Sequence, residues 1–132
     1  MSRDTVYKEM KEMLGVVPSM FKSIPDNVIA DEWEVFKKVQ VEEHHIPPKY
    51  KELMGVAISG ITKCRYCSYY HTQFARLFGA TEEEIQEAMH YGKQTAAWSA
   101  YINGMQLDYD QFCKEIDQVC GHVGKALAGQ AG

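Results

Sequence analysis

No stretch of this sequence approaches the ~18 consecutive apolar residues of a membrane-spanning helix. The apolar segment Gly55-Val56-Ala57-Ile58 stops at Ser59. Arg3, Asp4, Lys8 and Glu9 precede any apolar stretch, which is not the pattern of a secretory signal. An excess of positive charge is also missing. Fourteen Lys and Arg against eighteen Asp and Glu give a formal net charge of −4. That balance argues against nucleic acid as a partner and against a basic membrane-surface helix. No internal repeat and no strand-type alternation of apolar and polar residues is present. Cysteine is sparse, with four residues in all. Without a secretory signal these do not read as a structural disulfide framework. The expectation that remains is a soluble, cytoplasmic, all-α protein of one domain spanning residues 1–132, since about 100–200 residues make one domain.

The helical period dominates the chain. Val6, Met10, Met13 and Leu14 share a face, and Gly15 stops that helix. Residues 15–25, with Pro18 and Pro25, read as a connector. Asp26 is placed to cap a second helix carrying Ile29, Trp33, Phe36 and Val39 or Gln40. A third starts near Pro48, with Tyr50, Leu53, Met54, Ala57, Ile58 and Ile61 as its inward stripe. Thr62 is placed to cap a fourth, which Gly79 ends. Thr81 and Glu84 form a capping-box pattern for a fifth, with Ile85, Ala88 and Met89 inward and a weak point at Gly92. A sixth runs from Thr95 to about Cys120, with a kink or short break at Asp108-Tyr109-Asp110. The core is expected over about 14–120, with the methionines mostly inside and residues 126–132 frayed.

Cys64, Cys67 and His71 stand at i, i+3 and i+7 on the fourth helix, so they share one stripe, continued by Phe74 and Phe78. Both cysteines fall near the helix N-terminus, where free N–H groups and the helix dipole favour a thiolate. His71 is a residue able to exchange a proton near neutral pH. A nucleophile, a second thiol that can close a disulfide, and a base are the groups that thiol–disulfide exchange or peroxide reduction needs. Glu52, on the preceding helix beside its most apolar section, is the carboxylate expected to orient His71 or join a proton relay.

The spacing Glu52-x11-Cys64-x2-Cys67-x3-His71 resembles the signature of the alkylhydroperoxidase D-like, or carboxymuconolactone decarboxylase, superfamily. Pro48 to Leu53 before it, Phe78 to Ile85 after it, and Leu14 to Phe21 further upstream are similar too, so the resemblance covers about residues 14–107. It implies an all-α fold, with the CxxC at the N-terminus of a central helix and protomers assembled as trimers or hexamers. It implies a peroxidase or disulfide reductase that uses no organic cofactor. By that analogy Cys67 attacks the peroxide, Cys64 supplies a proton and closes the disulfide, and Glu52 and His71 form the relay. A thioredoxin-like or lipoyl protein restores the dithiol. At Tyr66 the chain departs from the family's peroxidases, which carry a histidine there. Tyr66 is either packing or an accessory proton donor beside the thiols.

Two other readings fit the same residues. A carboxymuconolactone decarboxylase-like lyase would use Glu52 and His71 alone, with incidental cysteines. A non-enzymatic redox-sensing or metal-binding module would gather Cys64 and Cys67 with Cys113, Cys120 or His71 around zinc or an iron–sulfur cluster. Cys113 and Cys120 stand seven residues apart, about 10 Å on a straight helix, too far for one zinc ion. They read as packing residues, or one of them forms a disulfide across subunits or relays oxidation from Cys67. His44-His45, His90 and His122 read as surface histidines.

Overall fold

The computed structural model describes residues 1–131, which form seven α-helices and no β-strand. The expectation of an all-α chain holds; several boundaries differ. Helix α1 (Arg3–Leu14) begins where the Ser2 side chain accepts from the Thr5 N–H. It ends at Gly15, whose φ of 81° lies in the left-handed region that glycine enters without strain. The expected connector holds a short helix, α2 (Ser19–Lys22). Helix α3 is Ile29–Phe36 and passes into a π-helical turn over Lys37–Val41. Asp26 does not cap it, because that carboxylate is bound by Arg3 of α1.

These elements enclose a first core of Val6, Met10, Val17, Phe21, Ile29 and Trp33. Trp33 is fully buried, with Phe21 edge-on at 5.7 Å and Phe36 stacked at 5.6 Å. Its indole N–H donates to Glu9 at 3.0 Å, and Lys37 reaches the same carboxylate at 2.8 Å, so the one polar atom of the largest core residue is satisfied.

Helices α4 (Pro48–Thr62), α5 (Arg65–Leu77) and the long α6 (Glu82–Gly104) make a second core around Val56, Ala75 and Ile85. Pro48 occupies the first turn of α4, where its missing N–H costs nothing. The capping box of Thr81 and Glu84 starts α6. Gly92 does not weaken α6; the helix runs straight through it. A Cβ there would stand 2.7 Å from the Ala57 carbonyl oxygen, so glycine is what lets α6 lie against α4.

The break expected near Asp108 falls at Met105–Asp108, with Gln106 at φ 54°. Helix α7 (Tyr109–Ala131) then starts on the Asp108 side chain, which accepts from the Gln111 N–H. The segment 126–131 expected to fray is helical; Gly132 lies outside the described residues. From Tyr109 to Gln130 every residue but Cys113 is exposed, so α7 packs against neither core.

The inward stripe expected on α4 is rotated. Glu52, Gly55, Val56 and Ser59 are its buried residues, while Tyr50, Met54, Ile58 and Ile61 are exposed. The methionines, expected mostly inside, divide: Met10 is buried and Met89 half-buried, whereas Met13, Met20, Met54 and Met105 are exposed. Helical period finds the apolar face. It does not say whether the chain's own core or something else covers it.

Candidate active site

Thr62 ends α4 rather than capping α5. Lys63 takes a left-handed conformation (φ 56°) that closes α4, and Cys64 becomes the N-cap of α5. The Cys64 sulfur accepts from the Cys67 N–H at 3.2 Å, doing with sulfur what a cap hydroxyl does with oxygen. The two sulfurs are 2.7 Å apart. Their acidities diverge. The Cys64 thiol lies below its ordinary value because the Cys67 side chain, then the Cys67 and Tyr66 N–H groups, favour its charged form. The Cys67 thiol is pushed up by its bond to Cys64 and by burial. Of the two, Cys64 is the thiol that gives up its proton first.

Glu52 is 2% exposed, one turn into α4 and facing α5. Its carboxylate meets Nδ1 of His71 at 2.6 Å. With Nδ1–H donating to the carboxylate, Nε2 is the ring nitrogen left to take up a proton. The imidazole lies against α4 at Gly55: a Cβ there would come within 2.4 Å of the ring. Four residues beyond Gly55, buried Ser59 donates to the Val56 carbonyl at 2.7 Å and accepts from Ser68 at 3.0 Å. That pair ties α4 to the first turn of α5, beside the thiols.

A cleft of about 190 Å³ opens onto Cys67 and His71, lined also by Met20, Gln40, Tyr66 and Tyr70. Met20 comes from α2 and Gln40 from the π-helical turn, so the site lies where the two cores meet. Tyr70 donates to Gln40 Oε1 at 3.0 Å, and Lys51 donates to the Val39 carbonyl at 3.0 Å; both cross that junction. Tyr66 is 75% exposed at the cleft mouth, with Arg65 over its ring at 5.3 Å.

The structure thus brings Glu52, Cys64, Cys67 and His71 into one place, with Tyr66 at its edge. Cys113 and Cys120 lie on α7, apart from them. Among the described residues no three His, Cys, Asp or Glu side chains converge as a metal site would require. Gly55, Ser59, Gln40 and Met20 are the residues that sequence reasoning missed. Gly55 had a signal, a glycine inside an apolar helix, which marks a close approach. Gln40 had none.

The family model for carboxymuconolactone decarboxylase matches residues 29–108, which include all four site residues. The chain belongs to the carboxymuconolactone decarboxylase family. A similar sequence is "Uncharacterized protein 4 in cox locus" of Paracoccus denitrificans, 33% identical over 75 residues, 57% of this chain and 68% of that one. A similar solved structure is the alkylhydroperoxidase AhpD core of Rhodospirillum rubrum. It has a TM-score of 0.72 at 25% identity, and the match covers 82% of each chain. This member of the family therefore has the alkylhydroperoxidase-like helical fold. None of its described helices is long and apolar enough to cross a membrane.

Proposed function

We propose that this protein is a dithiol oxidoreductase that reduces a hydroperoxide, with Cys64 and Cys67 as its redox pair and Glu52 and His71 as its proton relay. The observation that carries this reading is the 2.6 Å pairing of buried Glu52 with His71, which lines the cleft that opens on Cys67. A Cys67 thiol whose acidity is suppressed needs a base before it can attack. His71, one turn along α5, is that base.

His71 takes the Cys67 proton, and the sulfur attacks the terminal peroxide oxygen. An S–O bond forms, the O–O bond breaks, and the departing alkoxide takes the proton from His71 to leave as an alcohol. Cys67 is now a sulfenic acid. The Cys64 thiolate attacks it, and an S–S bond replaces the S–O bond. Hydroxide leaves, and it becomes water by taking from solvent the proton that Cys64 had given up. The two cysteines have lost two electrons, and the peroxide has gained them. A thioredoxin-like or lipoyl dithiol returns two electrons and two protons. No organic cofactor or metal enters this cycle. The cleft takes a small peroxide or disulfide, and Tyr66 is an accessory donor at its mouth. The protein acts as a cytoplasmic homo-oligomer, a trimer or hexamer.

Thiol titration of the reduced protein, with and without one equivalent of hydroperoxide, tests this reading. Loss of two thiols with a mapped Cys64–Cys67 bridge is expected. Full retention of both thiols overturns peroxide reduction. The family's name favours a second reading, a decarboxylase-like lyase in which the Glu52–His71 pair alone moves protons. Replacing Cys64 and Cys67 together abolishes turnover under the first reading and spares it under the second.

A further inference from the structure

Helix α7 begins at Tyr109, one residue beyond the end of the family match at Asp108, and its side chains stay outside both cores. Along α7 the residues Tyr109, Phe112, Ile116, Val119, Val123 and Ala126 recur at alternating intervals of three and four. That is a 3.5-residue repeat, the spacing that keeps one seam facing a partner helix. All six are exposed, Ile116 at 43% and Val119 at 54%. Helices in proteins draw most of their stability from packing an apolar face, and nothing among the described residues covers this one.

We propose that α7 pairs antiparallel with α7 of a second copy of this chain. Charge sets the direction. Residues 109–117 carry Asp110, Glu115 and Asp117 against Lys114, whereas residues 118–131 carry Lys125 and His122 and no carboxylate. Antiparallel pairing lays the acidic half of each helix on the other's basic half; parallel pairing stacks acid on acid. Side-chain size agrees. With the two-fold axis between Asp117 and Gln118, Ile116 meets the partner's Val119, Phe112 the partner's Val123, and Tyr109 the partner's Ala126. Each layer then joins a larger residue to a smaller one, whereas a parallel pair would stack Tyr on Tyr and Ala on Ala. On the flanks, Glu115 comes beside the partner's His122, and Cys113 beside the partner's Cys120. This surface is independent of the dithiol chemistry.

The test uses the full chain. Cys113→Ser and Cys120→Ser variants are co-expressed and treated with a short bis-maleimide. A linked pair of Cys113 and Cys120 peptides can then come only from two different chains. Digestion at Lys114 separates the two peptides. Antiparallel pairing gives that cross-chain product. Its absence, or a larger yield of Cys113–Cys113 links from the Cys120→Ser protein alone, overturns the proposal. The two-fold pair requires the hexamer of the two assemblies, so Ile116→Asp with Val119→Asp is expected to halve the mass measured by light scattering, hexamer to trimer, while the buried Trp33 keeps its fluorescence. An unchanged mass overturns the pairing.

Discussion

The imidazole of His71 rests on the backbone of Gly55, so closely that a Cβ at that position would stand 2.4 Å from its Cγ and Nδ1. The same ring nitrogen is held by Glu52 at 2.6 Å, one turn earlier on α4. Carboxylate and glycine together fix where the ring lies and which nitrogen is left for chemistry.

Gly55→Ala is accordingly expected to separate catalysis from folding. Alanine is the better helix former by about 1 kcal/mol, yet its methyl group displaces His71. Peroxide turnover should fall by more than about 10-fold, a small share of what a positioned base contributes, with the helical circular dichroism unchanged. Wild-type turnover in this variant would show that the position of the ring does not matter.

Glu52→Gln keeps the shape of the side chain and removes its charge. General acid–base catalysis contributes about 10²–10⁴-fold, and the variant is expected to lose an amount within that range from kcat. Alkylation of the thiols by iodoacetamide should survive. A loss of thiol reactivity in equal measure would move Glu52 from the relay to the scaffold.

Glycines at the α4–α6 contact separate rigid from yielding neighbours. At Gly92 a Cβ meets the Ala57 carbonyl at 2.7 Å, and backbone cannot step aside; at Gly60 it meets the Met89 sulfur at 2.6 Å, the flexible part of a side chain. Gly92→Ala should cost about 1–3 kcal/mol in denaturant unfolding, as overpacking does, and Gly60→Ala much less. Equal costs would mean that α6 shifts freely on α4.

The thiols should titrate on opposite sides of an ordinary cysteine. Cys64 is held low by its bond from Cys67, so its alkylation should persist to lower pH; Cys67 is held high, so its alkylation should need higher pH. Cys67→Ala removes the bond and should raise the Cys64 midpoint, and Cys64→Ala should lower that of Cys67. Alkylation rates against pH, with mass mapping of each cysteine, read both midpoints. Coincident midpoints in the wild-type protein would remove the division of labour between the two thiols.

The four-residue site is legible in sequence because its spacing is local on α5 and needs one partner from α4. Pro48 and the Thr81–Glu84 capping box also locate the starts of α4 and α6. Helical period misplaces the inward face of α4, because Tyr50, Met54, Ile58 and Ile61 are apolar yet exposed, and Glu52 is charged yet buried. Burial follows from which helices meet, and one sequence does not state that. Gly92 misleads for the same reason: a glycine that weakens an isolated helix permits a close crossing in a packed one.

Tyr70 joins α5 to the N-terminal core through its bond to Gln40 Oε1 at 3.0 Å, across the cleft that holds Cys67. Burial, and then the Glu52 carboxylate, push its phenol well above the ordinary tyrosine value, so it stays a protonated donor through alkaline pH. Tyr70→Phe removes the donor and keeps the ring that stacks on Phe74 at 4.4 Å. The cost expected in denaturant unfolding is about 0.5–1.5 kcal/mol, that of one hydrogen bond. The backbone amides around Gln40 should exchange faster with deuterium, because the π-helical turn has lost its tie to α5. Exchange at the Gln40 turn equal to wild type would show that Lys51, bound to the Val39 carbonyl, holds the two cores together without Tyr70.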